Sequence, residues 1–206
     1  ELAERCEYLP QALDSIARRL NKTPGLSLED LLALLDDAGE RLEITGAAAM
    51  LQVSYDMLAP ARKKDWRRLA VFAADFDAAA AAWVWGRVSG DTALDKLRSK
   101  IIRARLDLED LLGCGLVEYD AARDRYLLHR LERDFAAGLA DFTAQEKQEA
   151  HLAHARYYRT VLRQANDLCL EGDQRLLDGL AAYDRETREV HAAWEWLKGT
   201  AGAETC

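Results

Sequence analysis

The sequence lacks the cysteine pattern, the long apolar runs and the leader that mark several protein classes. Its four cysteines, Cys6, Cys114, Cys169 and Cys206, are scattered and form no CxxC pair, a spacing that favours neither a zinc site nor a disulfide framework. No apolar run approaches the roughly 18 residues that cross a bilayer, and the acidic N-terminal stretch does not resemble a secretory leader. We therefore predict a soluble, cytoplasmic protein with reduced thiols and no membrane partner.

Positive charge is scarce as well. The chain has 28 lysine and arginine residues against 36 aspartate and glutamate residues, so its formal net charge is −8. This balance opposes non-specific attraction to a phosphate backbone, and DNA is an unlikely partner on charge alone. Half of the residues are apolar, which is enough to build a buried core.

Motifs of catalytic sites are also missing. The chain has neither a GxxxxGK[ST] phosphate loop nor a GxSxG nucleophile elbow. The segment LLALLDD at 31–37 imitates a Walker B strand, but its leucines follow helical spacing and favour an amphipathic helix. The chain also starts without methionine and stops just after an amphipathic segment, so we interpret it as part of a longer polypeptide. No catalysis is expected from these residues alone.

The apolar pattern divides the chain into three blocks and predicts a mainly α fold. Residues 1–61 show leucines at helical spacing, with Ser27 placed as an N-cap, and predict a helical domain. Residues 62–141 predict helices followed by a hairpin, because LVEYD and RYLLH alternate around the turn AARD; this is the pattern of a winged helix. Residues 142–206 are helical throughout, with Thr143 as a cap and Glu146 at the capping-box position.

Two histidines in the third block, His151 and His154, lie three residues apart on a predicted helix and could begin a metal site. No third ligand of suitable spacing is evident in the sequence. The pattern therefore favours a solvated helix face, and no metal is predicted.

Five segments occur in the order found in STAND signalling ATPases of the bacterial NB-ARC type. They are CEYLPQAL at 6–13, LQVSYDML at 51–58, WRRLAVFAADFDAAAAAWVW at 66–85, GLVEYDAARDRYLLHRLERDFA at 115–136 and YDRETREVHAAWEWLKG at 183–199. The chain resembles the helical and winged-helix portion of that switch without its P-loop domain, followed by a helical linker or the start of a helical sensor region. The resemblance covers nearly the whole chain.

The resemblance implies two nucleotide contacts. LPQAL resembles the family's GLPLA motif, so Pro10, with Leu9 beside it, is expected against the adenine ring; Tyr8 replaces the family's preceding glycine. LHR resembles the MHD motif, whose histidine reaches the β-phosphate of ADP, so His129 is expected to hold that phosphate. Arg130 replaces the aspartate that follows, and it either loosens autoinhibition or helps to neutralise phosphate.

Simpler interpretations of the same residues remain open. Pro10 is also suited to the first turn of a helix, where its missing N–H costs nothing. His129 lies between apolar stretches, where a lone histidine is often a hydrogen-bonded structural residue.

The function implied is the regulatory portion of a switch controlled by ADP and ATP, with Mg²⁺ bound in the full-length parent and no cofactor bound by this fragment alone. The portion closes over ADP in the resting state and rearranges for homo-oligomerisation. Its expected partners are its own upstream nucleotide-binding domain and downstream sensor repeats. The parent is expected to be an ATPase, whereas this chain, without Walker A and Walker B motifs, is not expected to be catalytic.

Two other functions stay open. A basic run at 96–105 lies where a winged helix carries its recognition element and supports a transcription regulator that binds DNA. Its basic residues are Lys96, Arg98, Lys100, Arg103 and Arg105. Acidic residues at 91, 95, 107, 109 and 110 weaken the field of this run. The second alternative is a helical scaffold for protein interactions.

Overall fold

The computed structural model describes residues 10–42, 46–89 and 94–203. Its α-helices are α1 (Pro10–Lys22), α2 (Leu28–Leu42), α3 (Gly46–Asp56), α4 (Pro60–Arg68), α5 (Ala78–Val84), α6 (Leu94–Leu112), α7 (Arg130–Gly138), α8 (Ala144–Glu171) and α9 (Asp173–Ala203). A short 3₁₀ helix (Leu69–Val71) follows α4, and strands β1 (Glu118–Asp120) and β2 (Arg125–Leu127) pair antiparallel. The predicted fold class, mainly α with a small hairpin, is confirmed.

Helices α1 to α3 pack around a core of their own. Ile16, Leu31 and Met50 are buried at its centre. Ser27 caps α2 as predicted: its hydroxyl accepts from the Asp30 amide at 3.0 Å, and the Asp30 carboxylate accepts from the Ser27 amide at 2.9 Å. The Ser27 hydroxyl also donates to Asp30 Oδ2 at 2.7 Å, and this bond, together with the one from the Ser27 amide, lowers the pKa of Asp30. The segment at 31–37 lies inside α2, so the helical interpretation of the Walker B imitation is correct.

The winged helix runs from α4 to β2 and contains a strand contact that the sequence pattern did not indicate. Phe76 pairs with Tyr126 through two backbone hydrogen bonds of 2.9 and 2.8 Å, which adds a third strand position beside β2. Just after this pairing the Asp77 carboxylate caps α5 by accepting from the Ala80 amide at 2.7 Å. The additional pairing gives the element order of a winged helix.

Large aromatic side chains fill the centre of the winged helix. Trp66, Phe72, Phe76 and Tyr126 are buried. Trp66 Nε1 donates to the Leu116 carbonyl at 2.9 Å, so the indole's polar atom is satisfied inside the core. The rings of Phe72 and Phe76 stack with centroids 4.1 Å apart.

Helices α8 and α9 form an antiparallel hairpin around Gly172, whose φ of +76° suits glycine. Thr143 caps α8 as predicted by accepting from the Glu146 amide at 3.2 Å. The Glu146 carboxylate meanwhile binds Arg67 on α4 at 2.9 Å. The boundary predicted at 141 falls in the loop before α8, yet one continuous core includes both the winged helix and the α8–α9 hairpin.

None of the helices in the described ranges is long and apolar enough to cross a membrane.

Candidate functional site

His129 joins the hairpin to the helix that follows it. It occupies the N-cap position of α7, where its backbone carbonyl accepts from the Arg133 amide at 3.0 Å and its side chain makes no capping bond. The Nε2 atom of its imidazole is buried and has no hydrogen-bond partner among the described residues. Its Nε2 lies 2.8 Å from Glu118 Oε1 on β1, at ion-pair distance but without hydrogen-bond geometry, and 29% of the side chain is exposed.

A narrow cleft separates His129 from the helix that begins at Pro10. Asp14 and Arg18 of α1 line one side of it, and Glu118, His129 and Glu132 line the other. The cleft has a cavity volume of about 10 Å³, which is room for about one water molecule. A nucleotide phosphate can therefore reach His129 Nε2, which is buried, only after the walls of the cleft have moved apart.

The charges around the cleft are mostly negative. Asp14 pairs with Arg18 at 2.7 Å, and the Glu118 and Glu132 carboxylates line the cleft together with His129. Glu132 is only 7% exposed, and its Oε2 has no hydrogen-bond partner among the described residues. Burial raises the pKa of Glu132, and His129 opposes this rise by favouring the charged carboxylate.

The other residues implied by the resemblance are not all placed in this cleft. Arg130 is exposed and lies beside Asp134 of the same helix, with Nε 3.3 Å from Oδ2. Pro10 is the first residue of α1, which agrees with its simpler interpretation as a helix-start proline. Leu9 and Tyr8 lie outside the described residues, so the adenine contact stays a prediction.

A buried polar cluster joins α9 to the winged helix, and sequence reasoning missed it. Arg125 on β2 binds Glu186 of α9 through two hydrogen bonds of 2.6 and 2.8 Å, with both side chains buried. Burial alone lowers the pKa of Arg125, but the bonds to Glu186 outweigh it and raise the pKa above its ordinary value. One turn further along α9, Glu189 Oε1 accepts from the Ala74 amide at 2.5 Å.

His154 belongs to this buried cluster, and the prediction of a solvated face is wrong for it. Its Nε2 lies 2.7 Å from Glu189 Oε2, and both residues are buried. His151 stacks on Trp196 with ring centroids 5.0 Å apart. Burial, followed by the nearby His154, lowers the pKa of His151 to about 4. Acidic residues at 186 and 189, three apart beside apolar Val190 and Ala193, were the signal that could have revealed this side of α9.

Two of the five residues in the basic run on α6 pair with acidic neighbours: Arg103 lies 3.6 Å from Asp107, and Arg105 binds Asp124. Arg105 makes a two-bond contact with Asp124 at 2.8 Å in each bond, and this contact, reinforced by Tyr119, lowers the pKa of Asp124. The exposed face of α6 carries two aliphatic side chains, Ile102 at 51% exposure and Leu106 at 56%.

Among the described residues, no group of three or more histidine, cysteine, aspartate or glutamate side chains is arranged to hold a metal ion. Comparison of the chain with protein-family models, curated proteins and solved structures gave no match.

Proposed function

We propose that this chain is the regulatory portion of a STAND signalling switch of the NB-ARC type, controlled by ADP and ATP. The observation that supports this best is the placement of His129. It lies where the hairpin passes into α7, partly exposed, and across a cleft from α1, whose first residue is Pro10. An imidazole at the junction of two domains can donate to a phosphate that bridges them.

The imidazole of His129 is a suitable donor for a phosphate, but the carboxylates around it do not favour an anion. Nε2 is buried in this structure, so it can donate a hydrogen bond to a phosphate oxygen only after the half-exposed Glu118 carboxylate beside it has turned to solvent. Glu132 and Asp14 supply no positive charge. We therefore assign the rest of the charge neutralisation to the upstream nucleotide-binding domain and its Mg²⁺.

The contact between Glu118 and His129 gives the proposed latch two alternative states. The imidazole meets either the Glu118 carboxylate or a phosphate, since both require the same Nε2. ADP is favoured in the compact state because His129 adds a bond there that the open state lacks. Exchange for ATP shifts the balance toward release of the winged helix and exposes surfaces for homo-oligomerisation.

The buried cluster on α9 supplies a connection from the sensor side to this latch. Arg125 lies on β2, four residues before His129, and Glu186 of α9 holds it. A displacement of α9 caused by downstream sensor repeats therefore acts on the same strand that leads to His129. In this proposal the protein works in the cytoplasm, and the chain itself hydrolyses nothing.

The test is ADP release from the full-length parent. His129→Ala removes one charge-assisted hydrogen bond, worth about 1.5 kcal/mol, so fluorescent ADP is expected to dissociate roughly tenfold faster in stopped-flow measurements. His191→Ala is the matched control, because His191 is exposed on α9, and it should leave release unchanged. Equal release rates for the His129→Ala variant and the wild type would overturn the proposal.

A further inference from the structure

An apolar groove runs between α8 and α9, on the side that the winged helix does not cover. It has a volume of about 400 Å³. Its apolar floor is formed by Leu152, Ala155, Leu162, Val190, Ala193 and Leu197. The residues from α8 recur at helical spacing from 152 to 162, about 15 Å or three helical turns, so the groove has the length of a short helix.

Trp194 makes this groove unusual for a protein surface. It lines the groove and is 60% exposed, and Leu162 across from it on α8 is also exposed. Tryptophan is among the residues that most often dominate binding energy when a partner covers it. An exposed tryptophan beside an apolar floor is a typical anchor point for a helix laid into a groove.

One rim of the groove is entirely basic. Arg156 and Arg159 line the groove, and Arg163 continues the same face of α8 one turn later. All three are exposed, and in the ranges that the structure describes none of them forms an ion pair. On the α9 side, Glu195 is already paired with Lys198 at 2.6 Å. A row of three unpaired arginines is distinctive in a chain whose net charge is −8.

We propose that this groove binds an amphipathic α-helix of a partner protein, with carboxylates along one flank. The apolar face of that helix enters between Leu162 and Trp194, and its acidic flank faces Arg156, Arg159 and Arg163. Charge complementarity selects this occupant, because arginine binds carboxylate through directed, charge-assisted hydrogen bonds. The proposal does not depend on the nucleotide latch, since no residue of the groove belongs to the cleft at His129.

The test uses the full chain and two designed peptides. Both are helical peptides of about 18 residues, long enough to hold a helix when bound, with leucines spaced three and four apart. One carries glutamate along a flank of the leucine face, and its isomer carries lysine at the same positions. Titration followed by Trp fluorescence and calorimetry is expected to show the glutamate peptide binding at least about tenfold more tightly, by an amount that falls as salt is raised.

Matched variants locate the binding. The triple variant Arg156→Glu, Arg159→Glu and Arg163→Glu reverses the charge of the rim. It is expected to lower the affinity for the glutamate peptide about tenfold or more and to raise the affinity for the lysine isomer. The control triple Arg175→Glu, Arg185→Glu and Arg188→Glu makes the same charge change at exposed positions of α9 outside the groove. Trp194→Ser should also weaken binding, whereas Leu170→Ser, exposed near the end of α8, should not. Circular dichroism checks that each variant stays folded.

Three results would overturn the proposal. The first is equal affinity of the chain for the two peptides. The second is equal weakening by the rim triple and the control triple. The third is concentration-dependent self-association in sedimentation velocity that Trp194→Ser abolishes, because the groove then belongs to a second copy of this chain.

Discussion

At the scale of single residues, two glutamates determine what His129 can bind. Glu118 Oε1 lies 2.8 Å from its Nε2, and Glu132 adds a second carboxylate to the same cleft. Any phosphate that approaches this imidazole meets repulsion from both. The contribution of His129 to ADP affinity is therefore the difference between its interaction free energy with the phosphate and its interaction free energy with the Glu118 carboxylate. It is not the free energy of one hydrogen bond.

Replacing Glu118 should strengthen the hold on ADP. In the full-length parent, Glu118→Gln removes the competing charge while keeping the side chain's shape, so ADP release is expected to slow by a few-fold, about 1 kcal/mol or less for a half-exposed ion pair. Stopped-flow release of fluorescent ADP measures this. Glu171→Gln is the control, because Glu171 pairs with Arg175 at the far end of α8. Faster release from the Glu118→Gln variant would contradict the competition.

Replacing Glu132 should change stability with pH. Burial raises the folded-state pKa of Glu132, so the charged carboxylate costs stability once pH has risen through that pKa. Glu132→Gln removes this cost and is expected to stabilise the chain at pH 7 by on the order of 1 kcal/mol. As pH falls toward the ordinary glutamate value of 4.5 and below, the wild type becomes protonated and the difference should shrink. Urea denaturation at both pH values measures it, and a difference that does not depend on pH would count against the argument.

At the scale of elements, the α8–α9 hairpin is held together by a close approach at Gly179. A Cβ placed there would lie 2.6 Å from the Ala165 carbonyl oxygen and 2.6 Å from Cys169 Sγ. The backbones of the two helices are therefore in near contact at this point. We expect the hairpin to move as one piece, because separating its helices here breaks this close backbone contact.

Two glycines on α9 provide a matched pair to test this contact. Gly179→Ala is expected to destabilise the chain by about 1 to 3 kcal/mol, because backbone atoms must move apart to admit the methyl group. Gly199→Ala, also on α9 but with nothing within 4 Å of the added Cβ, should stabilise it by about 0.5 to 1 kcal/mol through helix propensity. Chemical denaturation measures both variants. Effects of the same sign would rule out the close-contact explanation.

At the scale of the whole molecule, α3 connects two separate cores. Met50 and Val53 face the core of the helical domain, whereas Leu51 and Tyr55 join the core shared by the winged helix and the α8–α9 hairpin. Hydrogen bonds at Tyr55 strengthen this connection. Rearrangement of the helical domain against the rest of the chain must therefore disturb α3 first.

The hydroxyl of Tyr55 provides a test of this connection. It donates to Asp141 Oδ2 at 2.5 Å and accepts from Arg67 at 3.3 Å, and burial, assisted by Asp141, raises its pKa to about 12. Tyr55→Phe is expected to increase hydrogen exchange in α3 roughly fivefold, the effect of about 1 kcal/mol. The control is Tyr119→Phe, which removes an exposed hydroxyl that donates to Asp124 in the hairpin and should leave exchange in α3 unchanged. Equal exchange in α3 for both variants would contradict the role of Tyr55.

The local parts of this structure were predictable from the sequence, and the long-range parts were not. Ser27 and Thr143 mark the starts of their helices through side chains that bond within three residues, and the hairpin was indicated by the two short segments that flank the turn AARD. The pairing of Phe76 with Tyr126 and the burial of His154 depend on partners 50 and 35 residues away, which periodicity does not specify. At the candidate site the position of His129 was predictable, but its acidic surroundings come from three separate elements.

Glu186 and Glu189 of the buried polar cluster lie near the middle of α9, a helix of 31 residues that measures about 46 Å. About 20 Å of helix therefore extends on each side of these two residues. The C-terminal part stays packed on α8, where Trp196 stacks on His151. Because Glu186 holds Arg125 through two hydrogen bonds, a shift of the whole α8–α9 hairpin changes the geometry of that contact on β2.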